Sequence, residues 1–182
     1  MPANEYHFIT HWRVEGTAEE VYSVLEDVAS LARWWPAVYL EVAVIEPGGA
    51  GGVGKRVALH TKGWLPYTLR WQFRVTEARR PERLVLEAAG DFVGRGAWAF
   101  ADTGSGRVGI TYDWRIRADK PLLRALSFAL KPVFAANHRW AMARGEESLR
   151  LELARRRART PGAASRIPPP PGPTFRGGRR TA

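Results

Sequence analysis

The sequence contains no cysteine among its 182 residues. This absence excludes a disulfide framework, a thiolate metal site and a cysteine nucleophile. His7 and His11 have the four-residue spacing of a helical metal site, but they lie in a pattern typical of a strand. A strand places them about 13 Å apart, too far to share one ion. We therefore expect neither a metal nor an organic cofactor.

Long apolar runs are also missing. The longest apolar stretch, residues 121–136, is interrupted by Arg124 and Lys131. It falls short of the roughly 18 apolar residues that a membrane-spanning helix needs. Residues 1–16 lack the basic region and the apolar run of a secretory signal. These absences lead us to expect a cytoplasmic protein.

Acidic residues are absent from the last part of the chain. Residues 155–182 hold eight arginines and no acid, so they carry +8 of the formal charge of +10, and residues 1–154 carry the remaining +2. These arginines are Arg155, Arg156, Arg157, Arg159, Arg166, Arg176, Arg179 and Arg180. A nucleic-acid-binding domain spreads its basic charge over a folded face, and this chain does not.

The composition changes after residue 158 to proline, glycine, arginine and alanine, with four prolines in a row at Pro168–Pro171. Such composition is typical of disordered or polyproline-like segments. We therefore divide the chain into a folded domain, residues 1–158, and a disordered tail, residues 159–182. The tail is either a solvated segment or a weak contact for an anionic membrane or a nucleic acid, through phosphate charge. Its prolines also suit a partner that reads polyproline.

The folded part predicts seven strands and a long final helix. Alternating apolar residues indicate a first strand over 6–14, and Thr17 with Glu20 forms the capping box of a helix. A short second helix precedes Pro36. Further strands are predicted over 38–46, 54–62, 67–77, 83–89, 94–101 and 107–117. Residues 121–157 then form one amphipathic stretch, which Pro132 is expected to kink or split.

Several segments resemble the START-like superfamily, also called SRPBCC. The segments are Thr17–Val28 with Arg33–Pro36, Gly90–Trp98, and Asn137–Leu149. They are similar to a polyketide-cyclase-like bacterial subgroup. The resemblance covers roughly residues 5–157 and implies an α+β helix-grip fold, in which a curved antiparallel sheet wraps around the C-terminal helix. Members of the superfamily bind lipids, polyketides, steroids or hormones, and only some of them catalyse a reaction.

Aromatic residues on alternate strand positions are the first candidates for a site. They form either a packed core or the wall of an apolar cavity. On the helix, small residues such as Ala141 and Gly145 favour a cavity, although they also permit close packing against the sheet. The full set of predicted ligand-binding residues is Trp64, Tyr67, Trp71, Phe73, Arg95, Trp98, Tyr112, Trp114, His138 and Met142.

Four of these residues have specific predicted roles. His138 is either a buried neutral histidine bonded to a carbonyl or a residue that contacts the ligand or acts as a general base. Tyr112 is its candidate acid partner. Trp64 is expected in a loop as a lid, and Arg95 is either an exposed arginine or a contact for an acidic ligand group at the cavity mouth.

One further motif, Gly49–Lys55, has the glycine and lysine spacing of a phosphate-binding loop. The next residue is Arg56 instead of serine or threonine, and a strand follows instead of a helix, so we reject nucleotide binding.

Three functions remain compatible with the sequence. The first is a binding protein for a small hydrophobic molecule such as a lipid, a polyketide or an aromatic metabolite. The second is a polyketide cyclase or dehydratase that uses His138 and Tyr112. The third is a membrane-associated lipid carrier steered by the arginine tail. Because no paired inward carboxylates and no nucleophile triad are evident, we favour binding over catalysis.

Overall fold

A computed structural model describes residues 4–174, and for residues 122–128 it describes the helical backbone only. The strands are β1 (Glu5–Glu15), β2 (Tyr39–Glu46), β3 (Arg56–Lys62), β4 (Thr68–Arg79), β5 (Arg83–Gly90), β6 (Phe92–Asp102) and β7 (Arg107–Ala118). The helices are α1 (Ala18–Glu26), α2 (Leu31–Trp34), α3 (Pro121–Arg157) and α4 (Pro161–Ser165), with short 3₁₀ turns at Val28–Ser30 and Ala50–Gly52.

The seven strands form one antiparallel sheet in the order β1-β7-β6-β5-β4-β3-β2. Strand β1 therefore pairs with the last strand, and β1 and β2 are the two edges. Helices α1 and α2 follow β1, and α3 packs against the sheet, so the predicted α+β helix-grip fold is confirmed.

The capping box predicted at the start of α1 is present. The Thr17 hydroxyl accepts from the Glu20 amide at 3.2 Å, and the Glu20 carboxylate accepts from the Thr17 amide at 2.9 Å. Two amide groups at the helix start are thereby satisfied. The next helix, α2, ends at Trp34, two residues before Pro36, as the restriction on residues that precede proline requires.

Alternation along the strands divides the sheet into a buried and an exposed face. In β4, Leu69, Phe73 and Val75 are buried, whereas Arg70 and Arg74 are exposed. The same alternation holds in β7, whose buried positions are Val108, Ile110, Tyr112, Trp114, Ile116 and Ala118. One face of the sheet is therefore lined with large apolar side chains and faces the helices.

The N-cap of helix α3 is Lys120, whose side chain makes no capping hydrogen bond. The preceding residue, Asp119, pairs with Arg117. The helix runs without interruption through Pro132, so of the two predicted alternatives, a kink or a split, the split does not occur.

The C-terminal half of α3 packs tightly against the rest of the domain. Leu149 and Leu153 are buried, and Gly145 lies against the indole of Trp35. A Cβ atom at position 145 would fall 2.3 Å from Cζ2 of Trp35. Glycine is therefore required for this close approach of helix and ring.

A buried carboxylate fixes the same half of the helix. Glu152 is 1% exposed and binds Arg33 in a fork, with N–O distances of 2.9 and 2.7 Å. Arg156 and Arg155 donate to the same carboxylate at 2.9 and 3.4 Å. Burial alone would raise the pKa of Glu152, but the hydrogen bonds and charges of Arg33 and Arg156 outweigh it and lower the pKa.

The last residues of α3 take part in this framework. Arg156 binds Asp27 at 3.0 Å, and Arg157 binds Glu20 at 2.7 Å. Arg155 to Arg157 are thus paired with acids of the folded domain. They are three of the eight arginines counted in residues 155–182. The basic charge available to a phosphate surface is correspondingly smaller than the sequence count suggests.

Part of the segment predicted to be disordered has defined structure. Helix α4 is capped by Thr160, whose hydroxyl accepts from the Ala163 amide at 3.1 Å. The chain then continues to Thr174, which contacts the end of β3. The division at residue 158 stays a prediction, and residues 175–182 of the predicted tail lie outside the described residues. Within residues 4–174, no helix is both long and apolar enough to cross a membrane.

We predict that Glu152→Gln lowers the free energy of unfolding by about 3 kcal/mol at neutral pH. The substitution leaves the guanidinium groups of Arg33, Arg155 and Arg156 without their shared carboxylate. Urea unfolding measures the effect. The matched control on the same helix is Glu147→Gln, which removes an exposed pair with Arg144 and should cost less than about 1 kcal/mol. Equal losses in both variants would contradict a central role for Glu152.

Candidate functional site

A cavity of about 190 Å³ lies between the buried face of the sheet and α3. Its lining is mostly aromatic and aliphatic. Eight of the ten predicted ligand-binding residues line it, namely Tyr67, Trp71, Phe73, Trp98, Tyr112, Trp114, His138 and Met142. The sheet supplies five of them, the β3–β4 loop supplies Tyr67 and α3 supplies two, so the fold brings together residues that are far apart in sequence.

Three aromatic rings form the wall on the sheet side. The Trp98 and Tyr112 rings stack with centroids 3.9 Å apart, and Tyr112 continues the stack onto Trp114 at 5.6 Å. Register explains the first contact, because Trp98 and Tyr112 are direct partners across β6 and β7. The wall is thus a consequence of strand pairing.

Gly96 makes room for this stack. It is the cross-strand partner of Trp114, and a Cβ atom there would fall 2.7 Å from the Tyr112 hydroxyl and 2.9 Å from Cε3 of Trp114. Any larger residue would displace one of the two rings. The Gly94-Arg95-Gly96 step therefore serves the cavity through Gly96.

The tyrosines of the cavity are held in the neutral form. Burial raises the pKa of Tyr112 well above its ordinary value, with a smaller contribution from Tyr39. Burial likewise raises the pKa of Tyr67 to about 12. At neutral pH both phenols are protonated and able to donate a hydrogen bond.

His138 faces the cavity from α3. Its ring stacks on Phe8 with centroids 4.1 Å apart and an interplanar angle of 13°. The Nε2 atom is buried and has no hydrogen-bond partner among the described residues. Burial, followed by the charge of Arg139, lowers the pKa of His138 to about 4. The imidazole is therefore neutral at physiological pH.

Two predicted site residues are placed elsewhere. The side chain of Arg95 is exposed on the outer face, where its strand neighbours are Glu87 and Arg115, so it does not reach an acidic group in this cavity. Trp64 is half-buried in the β3–β4 loop and is not among the described residues that line the cavity. A predicted position in a loop, as for Trp64, does not fix the direction of a side chain.

Asn137 is a site residue that the sequence argument left out. Its Oδ1 accepts from the Trp64 and Leu65 amides, at 2.9 and 3.3 Å. Gly63 permits this approach, since a Cβ atom there would lie 2.1 Å from Asn137 Oδ1. The helix thereby holds the loop that forms one end of the cavity. In the sequence, Gly63 is the residue that could have indicated this close contact.

The opposite end of the cavity lies at the glycine-rich turn between β2 and β3. Gly51, Gly52 and Lys55 line it together with Glu26, and Lys55 Nζ donates to the Glu26 carbonyl at 3.3 Å. The segment that resembled a phosphate-binding loop therefore belongs to the cavity boundary.

Within the wall, Trp71 Nε1 donates to the Thr61 hydroxyl at 2.9 Å, which satisfies the indole.

We predict that Gly96→Ala destabilises the protein by about 2 kcal/mol and perturbs the aromatic wall, because the new methyl group overlaps Tyr112 and Trp114. Near-ultraviolet circular dichroism and urea unfolding measure the two effects. Gly109→Ala is the matched control, since a Cβ atom there meets nothing closer than 3.7 Å. An unchanged spectrum for Gly96→Ala would show that the wall does not need this glycine.

His138 is predicted to make stability fall with acid. A depressed pKa means that the unfolded chain binds the proton first, below its ordinary pKa of 6.5, so the stabilisation is present above that value and is lost as the pH falls toward about 4. Between about pH 7.5 and pH 5, wild type should lose about 2 kcal/mol relative to His138→Gln. Urea unfolding at both pH values tests this. The control His11→Gln, at an exposed histidine, should lose as much stability between the two pH values as wild type. An equal loss of stability in His138→Gln and wild type would refute the role of His138.

The family assignment rests on sequence. A family model described as "Polyketide cyclase / dehydrase and lipid transport" matches residues 9–153. No curated protein sequence matches the chain.

Solved structures share the fold at low identity. An aromatase/cyclase, Zhui from Streptomyces sp. R1128, has a TM-score of 0.66 and 18% identity over 85% of this chain and 97% of its own. A START superfamily protein from Mycobacterium smegmatis has a TM-score of 0.60 and 14% identity over 79% of this chain and 98% of its own. Norcoclaurine synthase from Thalictrum flavum has a TM-score of 0.56 and 15% identity over 81% and 87% of the two chains.

These likenesses confirm the fold, and the family model spans nearly all of the sheet and most of α3. This chain therefore belongs to the polyketide cyclase/dehydrase and lipid transport family.

Proposed function

We propose that this protein binds a small neutral aromatic molecule in the cavity and orients it by a hydrogen bond to His138. The main support is the Nε2 atom of His138, which is buried in a mostly apolar lining and has no hydrogen-bond partner among the described residues. A buried polar atom without a partner is costly. A ligand hydroxyl or carbonyl group at this position would remove that cost.

The size of the cavity supports a compact ligand. A dry apolar cavity of about 150 Å³ accommodates a benzene molecule, whereas pockets for drug-sized ligands start at about 300 Å³. At about 190 Å³, the cavity suits one or two fused rings better than a lipid with two acyl chains. The aromatic wall of Trp98, Tyr112 and Trp114 offers ring faces for stacking.

One structural neighbour supports an aromatic ligand. Norcoclaurine synthase from Thalictrum flavum was solved in complex with dopamine and hydroxybenzaldehyde, both of which are single-ring aromatic molecules. Lipid carriage at an anionic membrane has weaker support in this chain, because Arg155, Arg156 and Arg157 are engaged by acids of the domain.

A second function, cyclisation or dehydration of a polyketide-like substrate, has one observation in its favour. His138 and Tyr112 line the same cavity, the first as a neutral imidazole and the second as a protonated phenol. A base and an acid in these states are what an aldol-type ring closure needs. His138 would remove a proton from a carbon next to one carbonyl, this carbon would form a bond to the carbon of a second carbonyl, and Tyr112 would give its proton to the oxygen of the second carbonyl.

The test compares two ligands and two proteins. Wild type and His138→Phe are titrated calorimetrically with naphthalene and 1-naphthol, which differ by one hydroxyl group. Phenylalanine preserves the ring stacked on Phe8 but removes Nε2. We expect wild type to prefer 1-naphthol about tenfold, the value of one hydrogen bond of about 1.4 kcal/mol. His138→Phe should lose this preference and still bind naphthalene.

Absence of binding by either ligand to wild type, or an equal preference in both proteins, would refute the proposal. Met142→Leu is the control, because it changes the lining without changing its polar atoms. Turnover of a synthetic poly-β-keto thioester by wild type, abolished in both His138→Phe and Tyr112→Phe, would select the cyclase function instead.

A further inference from the structure

The segment that follows α4 lies against the domain with a period of three. Ile167, Pro170 and Pro173 are half-buried, as is Pro171, whereas the intervening Pro168, Pro169 and Gly172 are exposed. A polyproline II helix has three residues per turn, so every third side chain faces the same side. Proline also fixes φ near the value of this conformation. The pattern indicates a polyproline II segment with one face docked.

Two anchors define its course. Near its start, Arg155 of α3 donates to the Pro168 carbonyl at 2.9 Å. At its end, the Thr174 hydroxyl donates to the Gly63 carbonyl at 3.3 Å, and the Lys62 ammonium donates to the Thr174 carbonyl. At about 3.1 Å per residue, the six steps between the anchors cover about 19 Å. The segment therefore runs back from the C-terminal end of α3 to the end of β3.

The second anchor is at the cavity. Lys62 and Gly63 both belong to its lining, and Lys62 is only 7% exposed. A buried ammonium group needs a polar partner, and the Thr174 carbonyl is one. This contact ties the C-terminal segment to the boundary of the cavity.

The β3–β4 loop is held from two directions at this point. Asn137 accepts hydrogen bonds from the Trp64 and Leu65 amides on the α3 side. Thr174 holds the preceding Gly63. The loop is therefore clamped between the helix and the C-terminal segment, although none of residues 166–174 lines the cavity itself.

We propose that residues 166–174 form a strap that keeps the Gly63 end of the cavity closed, and that the ligand passes this end when the strap lifts. The inference rests on the proposed function for the identity of the ligand but not for the closure. Because the strap lies outside the lining, it controls the rates of ligand entry and release and leaves the affinity nearly unchanged.

The experiment uses the full-length chain and two substitutions that introduce the same charge. Pro170→Asp places a carboxylate on the docked face, and Pro169→Asp places it on the exposed face. Stopped-flow tryptophan fluorescence follows binding and release of 1-naphthol. Pro170→Asp should accelerate both rates about tenfold with a dissociation constant within about twofold of wild type. Pro169→Asp should behave as wild type. Ile167→Asp repeats the test at a second docked position.

Hydrogen exchange of the Trp64 and Leu65 amides gives a readout that needs no ligand. These amides should exchange faster in Pro170→Asp than in Pro169→Asp. If wild type does not bind 1-naphthol, the proposed function fails. The hydrogen-exchange result alone then tests whether the strap closes this end of the cavity. Unchanged exchange of the Trp64 and Leu65 amides in Pro170→Asp and Ile167→Asp would overturn the closure. Faster exchange of these amides with unchanged rates of 1-naphthol binding and release would also overturn it. The latter result would place ligand entry at the Gly51–Gly52 end.

Discussion

The position of α3 against the sheet is the constraint on which the cavity depends. Its C-terminal half is fixed by the Glu152 carboxylate, which three arginines share, and by the indole of Trp35 seated on Gly145. Its earlier half presents larger residues, Phe134 and His138, which line the cavity. The helix is thus anchored at one end and leaves space at the other. Packing density in protein interiors would otherwise favour closing that space.

The wall that faces this space depends on register. A shift of one residue between β6 and β7 would turn the stacked pair Trp98 and Tyr112 to opposite faces. It would also move Gly96 away from Trp114, whose ring occupies the room that this glycine leaves. Strand pairing therefore sets the shape of the aromatic wall and buries Tyr112, and this burial raises the pKa of its phenol.

Local sequence patterns correctly predicted the strand faces, which follow a regular period. They failed where the direction of a loop side chain or a contact between distant residues determines the structure. Alternation in β4 and β7 placed Trp71, Phe73, Tyr112 and Trp114 on the cavity side, because a strand has only two faces. For Arg95 two positions were left open, and alternation from Trp98 selects the exposed position on the outer face. Glu152, Asn137 and Lys62 each have a partner far away in sequence: Arg33, the Trp64 amide and Thr174. No local pattern encodes such contacts. Composition alone also hid the threefold burial period of residues 167–173.

The distribution of charge determines what the cavity can select. The chain carries a formal charge of +10, yet its central lining groups, His138, Tyr112 and Tyr67, are neutral at physiological pH. The ammonium groups at its two ends, Lys55 and Lys62, are bound to backbone carbonyls. An ion placed at the centre would lose its hydration without gaining a counter-ion, at a cost of several kcal/mol. A neutral ring with one hydroxyl or carbonyl group loses little hydration free energy, and it gains stacking contacts and one hydrogen bond. Selection in this cavity therefore follows shape and one polar contact, and the arginines outside it cannot replace either.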